Sequence, residues 1–198
     1  MEPNHIEAAR QDISIRCKKG LPFILAAAVL WTAITIIYAL PSLLLWQKIY
    51  LTFFCSTPLI PLALLISKLI KAEFSVKNNP LSQLGFYFSI GQMLYFPIIM
   101  WMFPNAPKGF IMGLAIITGA HFLPFSWLYR SRAYLIMSIV IPIVISVMGW
   151  SAEPSQLVRV PAAMLVMILI FGIWLGIEVK NVGQRASSPA TGVTDANS

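Results

Sequence analysis

Six long apolar stretches dominate this chain and restrict it to one class of fold. A membrane-spanning helix needs about 20 mainly apolar residues, and six windows of that kind can be read from the sequence. They cover residues 20–40, 49–70, 81–103, 108–128, 133–150 and 157–178. The runs are unbroken rather than alternating, which excludes a closed β-barrel. The sequence therefore predicts an all-α integral membrane bundle of six transmembrane helices.

The basic residues predict how these helices cross the membrane. Cytoplasmic loops retain Lys and Arg, and eleven of the 14 in this chain occur in alternate gaps between the windows. The eleven are Arg10, Arg16, Lys18, Lys19, Lys68, Lys71, Lys77, Arg130, Arg132, Lys180 and Arg185, and the other side has Lys48, Lys108 and Arg159. We therefore expect both the N and C termini to be cytoplasmic. The net charge of +7 is then an orientation signal, and no soluble basic domain exists to bind nucleic acid.

Short segments flank the predicted bundle. Residues 1–19 form a cytoplasmic or interfacial amphipathic lead-in, residues 20–180 the six-helix transmembrane domain, and residues 181–198 a cytoplasmic tail. In the lead-in, Asn4 is a candidate helix cap with Glu7 at the reciprocal capping position. The tail is rich in Ser, Ala, Gly and Thr and is predicted to be disordered. Any activity must therefore lie in the bilayer or at its faces.

Motifs for catalysis or cofactor binding are absent from the sequence. No charged residue lies near the centre of a window, and there is no HExxH, Walker or GxSxG motif. We therefore predict no metal, no cofactor and no catalytic residue. Cys17 and Cys55 fall at different depths, so they are predicted to be free thiols.

Two polar side chains inside the third and fourth windows are the main functional clues. At 1.5 Å per residue, Gln92 lies about 16 Å and His121 about 10–11 Å from the inner edge of its window. A tight outer turn joins these two windows, so the helices should be neighbours. We expect Gln92 and His121 to share a polar network with Ser89, Tyr95 or Thr118.

Two interpretations of these polar groups remain open. In the first they are structural, because an unpaired polar group in lipid costs several kcal/mol and an interhelical hydrogen bond removes that cost. In the second, Gln92, Tyr95, Thr118 and His121 contact a ligand, since an imidazole can also relay protons.

Glycines at a spacing of four residues occur in two windows. Gly109 and Gly113 begin the fourth window, and Gly172 and Gly176 lie in the sixth. This spacing permits close approach of helix backbones. We predict that all four glycines serve helix packing, with packing within the chain preferred and dimerisation as the alternative.

Prolines recur inside the second to sixth windows. They are Pro58, Pro61, Pro97, Pro124, Pro142 and Pro161. Each lacks the backbone N–H of an ordinary residue and can kink a helix. The pattern favours bent helices around a cavity, although membrane helices also tolerate proline without any such role.

Four strings carry a resemblance to a known group of proteins. They are GLPFI at 20–24, NPLS at 79–82, QMLYFP at 92–97 and GAHFLPFSWLY at 119–129. The chain resembles a family of small bacterial multi-pass membrane proteins of unknown function. The resemblance implies the bacterial inner membrane and a single all-helical domain, and it supplies no activity.

Three functional hypotheses follow, in order of preference. The first is a permease-like protein that binds a small neutral or amphiphilic solute in the bundle interior. The second is a non-catalytic accessory or assembly subunit that holds a membrane protein partner, or a second copy of the chain. The third is an intramembrane enzyme with His121 as its base. In each case the lipid bilayer surrounds the bundle, and no nucleic acid is involved.

Overall fold

The computed structural model describes residues 3–150, 153 and 156–187, and every regular element in this part of the chain is helical. The α-helices are α1 (Pro3–Arg16), α2 (Leu21–Ala39), α3 (Leu45–Ser56), α4 (Leu59–Leu69), α5 (Pro80–Met93), α6 (Phe96–Asn105), α7 (Phe110–Ala120), α8 (Leu123–Leu128), α9 (Arg132–Trp150) and α10 (Arg159–Ser187). Short 3₁₀ turns at Lys18–Gly20 and Pro107–Gly109 precede α2 and α7. The predicted all-α class is confirmed.

Five helical segments in the described residues are long and apolar enough to cross a membrane. They are Lys18–Ala39, Pro80–Asn105, Pro107–Leu128, Arg132–Trp150 and Arg159–Gln184. A sixth segment of this kind exists if α3 and α4, which meet at an angle of 43°, form one bent span. The six windows of the sequence thus correspond to these segments, with edges shifted by a few residues.

The last helix is longer than the sequence predicted. Disorder was expected from residue 181, but α10 continues to Ser187. Lys180 and Gln184 are good helix formers, and no proline interrupts the chain before Pro189. The helix therefore extends beyond the apolar window. The rest of the predicted tail, residues 188–198, lies outside the described residues.

The lead-in is helical, but it begins differently from the prediction. Because α1 begins at Pro3, Asn4 lies within its first turn instead of at its cap. Proline is favoured at the first helical position, where its missing N–H has no partner to lose. The Glu7 carboxylate accepts hydrogen bonds from Arg10 and Arg130 at 2.7 and 2.5 Å, so it binds two guanidinium groups and does not close a capping box.

Proline interrupts three of the spans and leaves two intact. Helices α3 and α4 separate at Pro58, α5 and α6 separate shortly before Pro97, and α7 and α8 separate shortly before Pro124. Pro142 lies inside the continuous α9. Pro161 lies in the first turn of α10, where no intrahelical partner is required for its missing N–H.

The core lies between four helices. Helix α10 packs along α2 and α9, and α9 packs along α7. Helices α3 and α4 cover the outer side of α2. The largest wholly buried side chains in this part of the bundle are apolar and include Phe110, Ile141, Met164, Ile168, Phe171 and Leu175. Trp31, in the middle of α2, is also buried at 4% exposure.

The third span, α5 and α6, lies at the periphery of the bundle. Only 6% of its most apolar stretch is buried, compared with 28–39% for Lys18–Ala39, Pro107–Leu128, Arg132–Trp150 and Arg159–Gln184. Its exposed large side chains include Phe86, Tyr87, Ile90, Met93, Leu94, Tyr95, Ile98 and Trp101. This span therefore contributes little to the core.

The segments that carry the predicted inner charges meet at one end of the bundle, which we call the polar end. It comprises α1, the 3₁₀ turn at Lys18–Gly20, the loop at residues 70–79, the loop at residues 129–131 and the part of α10 that follows Leu175. Helix α1 lies across this end and contacts α5 and α10.

Candidate functional site

Contacts on either side of the helix breaks show how the third and fourth spans pair. Towards the polar end, the rings of Phe88 and Phe125 meet edge to face, with centroids 5.8 Å apart. Towards the opposite end, the backbone at Gly113 is so close to Met102 that an added Cβ would lie 2.8 Å from its sulfur. The two spans are therefore antiparallel neighbours, with α5 beside α8 and α6 beside α7.

This pairing brings the predicted site residues to matching levels. Counting along both antiparallel helices from the Phe88–Phe125 contact puts Gln92 level with His121 and Tyr95 level with Thr118. We call these four residues the midspan site. From sequence spacing alone, Gln92 and His121 lie about one helical turn apart in depth. The packing contacts between the third and fourth spans place them at the same level instead.

Both halves of the midspan site lie at interruptions of a helix. Gln92 is half-buried near the end of α5, and Tyr95, which is 50% exposed, lies in the break before α6. Across from them, His121 follows the last residue of α7, in the break before α8. Backbone that is irregular at membrane depth is tolerated where it faces protein or a cavity.

The surroundings of His121 are aromatic. Its ring lies 5.2 Å from the ring of Phe125, edge to face, and 6.2 Å from that of Phe122. Edge-to-face geometry is a favourable arrangement of aromatic rings. The imidazole therefore packs against two aromatic rings of the fourth span.

The predicted polar network is not formed among the described residues. Ser89 donates its hydroxyl to the Gly85 carbonyl oxygen at 3.0 Å, and Thr118 donates to the Leu114 carbonyl oxygen at 2.8 Å. Each hydroxyl is therefore used inside its own helix. Throughout the described residues, the side chains of Gln92, Tyr95 and His121 make no hydrogen bond.

Two grooves on the bundle surface lie elsewhere. One, of about 170 Å³, lies between α2 and α10, and its lining includes Ile24, Leu25 and Gly172. The other, of about 340 Å³, is lined by α3 and the residues before it, including Trp46 and Tyr50. Neither includes a residue of the midspan site.

The four predicted packing glycines divide into two kinds. Gly109 and Gly113 both lie against the Met102 side chain, so this face packs within the chain. An added Cβ at Gly172 would meet Ile24 at an ordinary 3.7 Å, and at Gly176 it would meet nothing within 4 Å. In α10, Gly172 therefore makes an ordinary van der Waals contact with α2, and Gly176 borders open space.

The two thiols are unpaired, and burial keeps one of them protonated. Cys17 and Cys55 are free. Burial raises the pKa of the Cys17 thiol to about 11, with a smaller contribution from the nearby Glu73 carboxylate, so the thiol stays protonated at neutral pH. Among the described residues there is no group of three or more His, Cys, Asp or Glu side chains that could hold a metal ion.

A buried ion pair at the polar end was missed by the sequence argument. Lys19 Nζ lies 2.8 Å from Glu178 Oε2, and the two side chains are only 5% and 16% exposed. The other Glu178 oxygen accepts from the Ala133 backbone N–H at 3.0 Å, in the first turn of α9. Tyr134 donates its hydroxyl to the Lys19 carbonyl oxygen at 3.0 Å. One carboxylate thus joins α2, α9 and α10.

Further contacts hold helix α1 against the other segments of the polar end. Arg16 binds both carboxylate oxygens of Glu73, at 2.8 and 2.7 Å. Asn79 donates from its amide to Asp12 Oδ2 at 2.9 Å. The Arg10 guanidinium stacks 4.5 Å above the Trp127 ring.

Two features of the sequence point to the ion pair between Lys19 and Glu178. Glu178 is the one acidic residue at the inner edge of an apolar window, and Lys19 directly precedes the first window. Charged side chains at window edges usually extend towards water. The sequence alone therefore does not predict that Lys19 and Glu178 form an ion pair.

Together these features define an all-helical protein with five to six helices long and apolar enough to cross a membrane, held at one end by a polar cluster. The chain belongs to a family of unknown function, DUF7010, whose model matches residues 6–178. The match includes all six candidate spans almost completely. It agrees with the resemblance to an uncharacterised family.

No curated protein and no solved structure matches the chain.

Proposed function

We propose that this chain is a multi-pass protein of the bacterial inner membrane that crosses the bilayer six times, with both termini and the polar end in the cytoplasm. The gathering of the basic segments at one end supports this orientation, because cytoplasmic loops retain positive charge. Trp46, Trp101 and Trp150 are 55%, 61% and 86% exposed and lie towards the opposite end. Exposed tryptophans at that level suit a membrane–water interface.

Within this placement, the midspan site is proposed to bind a small neutral or amphiphilic solute in a permease-like protein. The observation that carries the proposal is the level pairing of Gln92 with His121 at two helix breaks, with both side chains unpaired throughout the described residues. A polar group left unpaired at membrane depth costs several kcal/mol. A bound solute or water would remove that cost.

The chemistry of the site suits a solute without net charge. The Gln92 amide both donates and accepts, and a neutral His121 imidazole does the same. Tyr95 adds a hydroxyl, and Thr118 can still accept a hydrogen bond at the hydroxyl that it donates to Leu114. No acidic or basic side chain of the chain lies within two turns of these residues along the third or fourth span.

Light scattering of proteoliposomes tests the proposal. Added glycerol or urea first shrinks the vesicles, and the rate at which they swell again measures solute entry. We expect wild-type protein to accelerate solute entry, and His121→Ala and Gln92→Ala to reduce the protein-dependent rate by at least about tenfold, the equivalent of one lost hydrogen bond to a polar site.

Ser89→Ala is the matched control for this experiment. Its hydroxyl lies in the same span but bonds only to its own helix, so the rate should stay at the wild-type level. If His121→Ala lowers thermal stability in detergent while the flux stays unchanged, the polar groups are structural and the solute proposal is wrong.

A second candidate function rests on the exposed third span. A span that is 6% buried leaves most of its apolar surface for lipid or for another protein, which suits an accessory subunit. A photo-crosslinking residue at Ile98, which is 53% exposed, should then capture one membrane protein in mild detergent. The same probe at the exposed Ile173 of α10 is the control. Equal labelling at both positions would contradict this role.

A further inference from the structure

The groove between α2 and α10 opens at the surface of the bundle and is apolar. Ile24, Leu25 and Ala28 form one wall, and α10 residues from Ile168 to Ile173 form the other. Its volume is about 170 Å³. An apolar cavity of about 150 Å³ stays dry and accepts a molecule such as benzene. The groove can therefore hold a stretch of hydrocarbon.

Gly172 keeps this groove open, and a second glycine follows it on α10. An added Cβ at Gly172 would lie 3.7 Å from Ile24 and 3.9 Å from Leu25, so any side chain larger than methyl would fill the space. One turn closer to the polar end, an added Cβ at Gly176 would have no neighbour within 4 Å. The surface of α10 between the groove and the polar end is therefore also open at Gly176.

The ion pair at the polar end sets the depth of the groove. Lys19 opposes Glu178, and α2 and α10 run antiparallel from that contact. Ile24 to Ala28 therefore lie about 4.5–10.5 Å beyond Leu21, the start of α2, at 1.5 Å per residue. The hydrocarbon core is about 30 Å thick, so the groove lies at the level of the acyl chains of one leaflet.

A lysine lies where the head group of a lipid in this groove would be. Lys180 follows Gly176 by one turn on the same face of α10 and is exposed. It has no acidic partner within the described residues, whereas Lys19 and Arg16 at the same end are both paired. An unpaired ammonium group at the membrane surface attracts an anionic head group.

We propose that the α2–α10 groove binds one anionic phospholipid of the cytoplasmic leaflet, with an acyl chain between Ile24 and Gly172 and its phosphate on Lys180. The shape of the groove selects a hydrocarbon chain, and the charge of Lys180 selects the head group. This proposal rests on the membrane placement proposed above but is independent of the midspan site.

Native mass spectrometry of the full chain in mild detergent tests it, with phosphatidylglycerol and phosphatidylcholine of matched acyl chains as probes. Wild-type protein should bind phosphatidylglycerol about fivefold more tightly, the effect of one basic residue at a membrane surface. Lys180→Gln should remove this preference. Lys77→Gln is the matched control, because Lys77 is also exposed and unpaired at the polar end, and it should keep the preference.

Gly172→Leu tests the groove itself and should weaken binding of both lipids, because leucine occupies the acyl position. Equal binding of the two lipids by wild-type protein would overturn the proposal, as would identical behaviour of Lys180→Gln and Lys77→Gln. A dimer that Gly172→Leu abolishes would also overturn it, since a second copy would then cover the groove. His121→Ala should keep the lipid preference, so failure of the solute proposal would be distinguishable.

Discussion

Lys19 and Glu178 place two opposite charges where water has little access. The chain takes an unusual path to bring them together, because Lys18, Lys19 and Gly20 have φ angles of 46°, 50° and 71°. Non-glycine residues in this left-handed region cost about 1–2 kcal/mol each. The strained turn reverses the chain between α1 and α2 and points the Lys19 side chain at α10. The ion pair and the bond from Tyr134 offset that strain.

At this scale we predict that Glu178→Gln destabilises the protein by about 3 kcal/mol, because it leaves the Lys19 ammonium buried without its counter-charge. Reversible unfolding in mixed detergent micelles measures the loss. Glu73→Gln is the control: the Arg16–Glu73 pair is exposed, at 40% and 47%, and an exposed pair contributes about 0–1 kcal/mol.

The double variant Lys19→Met with Glu178→Met separates charge from packing. Replacing both members of a buried pair by apolar residues is often neutral or stabilising. We therefore expect the double variant to be more stable than Glu178→Gln alone. If it is less stable, the cost of Glu178→Gln does not come from an uncompensated charge.

At the scale of helices, α7 and α9 approach each other closely at Gly119. An added Cβ at Gly119 would lie 2.5 Å from Ile141 Cγ2 and 3.0 Å from Pro142 Cδ. Real Cβ atoms do not approach so closely, and Ile141 is wholly buried without room to move.

We predict that Gly119→Ala lowers stability by about 1–3 kcal/mol through overpacking, measured by the same unfolding experiment. Gly91→Ala is the matched control, since an added Cβ in α5 would have no neighbour within 4 Å. Alanine is the better helix former by about 0.5–1 kcal/mol, so this control should be neutral or slightly stabilising. Equal losses in both variants would contradict the packing argument.

The helices also show which local features can be predicted from sequence. The length of each apolar run predicted the bounds of each span to within a few residues. A chain in lipid must satisfy its backbone polar groups by forming helices. The prolines predicted the helix breaks near Pro58, Pro97 and Pro124. They did not predict that α9 continues through Pro142. The predicted end of α10 was too early, because the apolar residues end before the helix-forming residues do.

At the scale of the whole molecule, the predicted orientation can be tested with two lysines. Lys77 lies in the loop at the polar end, and Lys108 lies in the 3₁₀ turn at the opposite end; both are exposed. With Cys17 and Cys55 both replaced by Ser, we expect a membrane-impermeant maleimide to label Lys108→Cys in intact spheroplasts, and Lys77→Cys only after permeabilisation. The reverse pattern, or equal labelling, would contradict the proposed orientation.

The candidate site was predictable only in part. Its residue types stand out because polar side chains are rare in these windows, and the depth of each could be counted along its helix. The level pairing of Gln92 with His121 needed the contact between Phe88 and Phe125, which sequence spacing does not contain. Lys19 and Glu178 are 159 residues apart, so their pairing follows from how α2 and α10 pack and not from any local pattern.

The sparse packing of α5 and α6 has a consequence for handling the protein. A rod that shares so little surface with its neighbours is held mostly by its two connecting loops and by the surrounding lipid. Harsh detergent should strip it from the assembly while the remaining helices stay together, and proteolytic nicks would then accumulate around Leu94, which is 75% exposed. Gentle extraction, or lipid nanodiscs, is therefore the condition under which its native neighbours would still be attached.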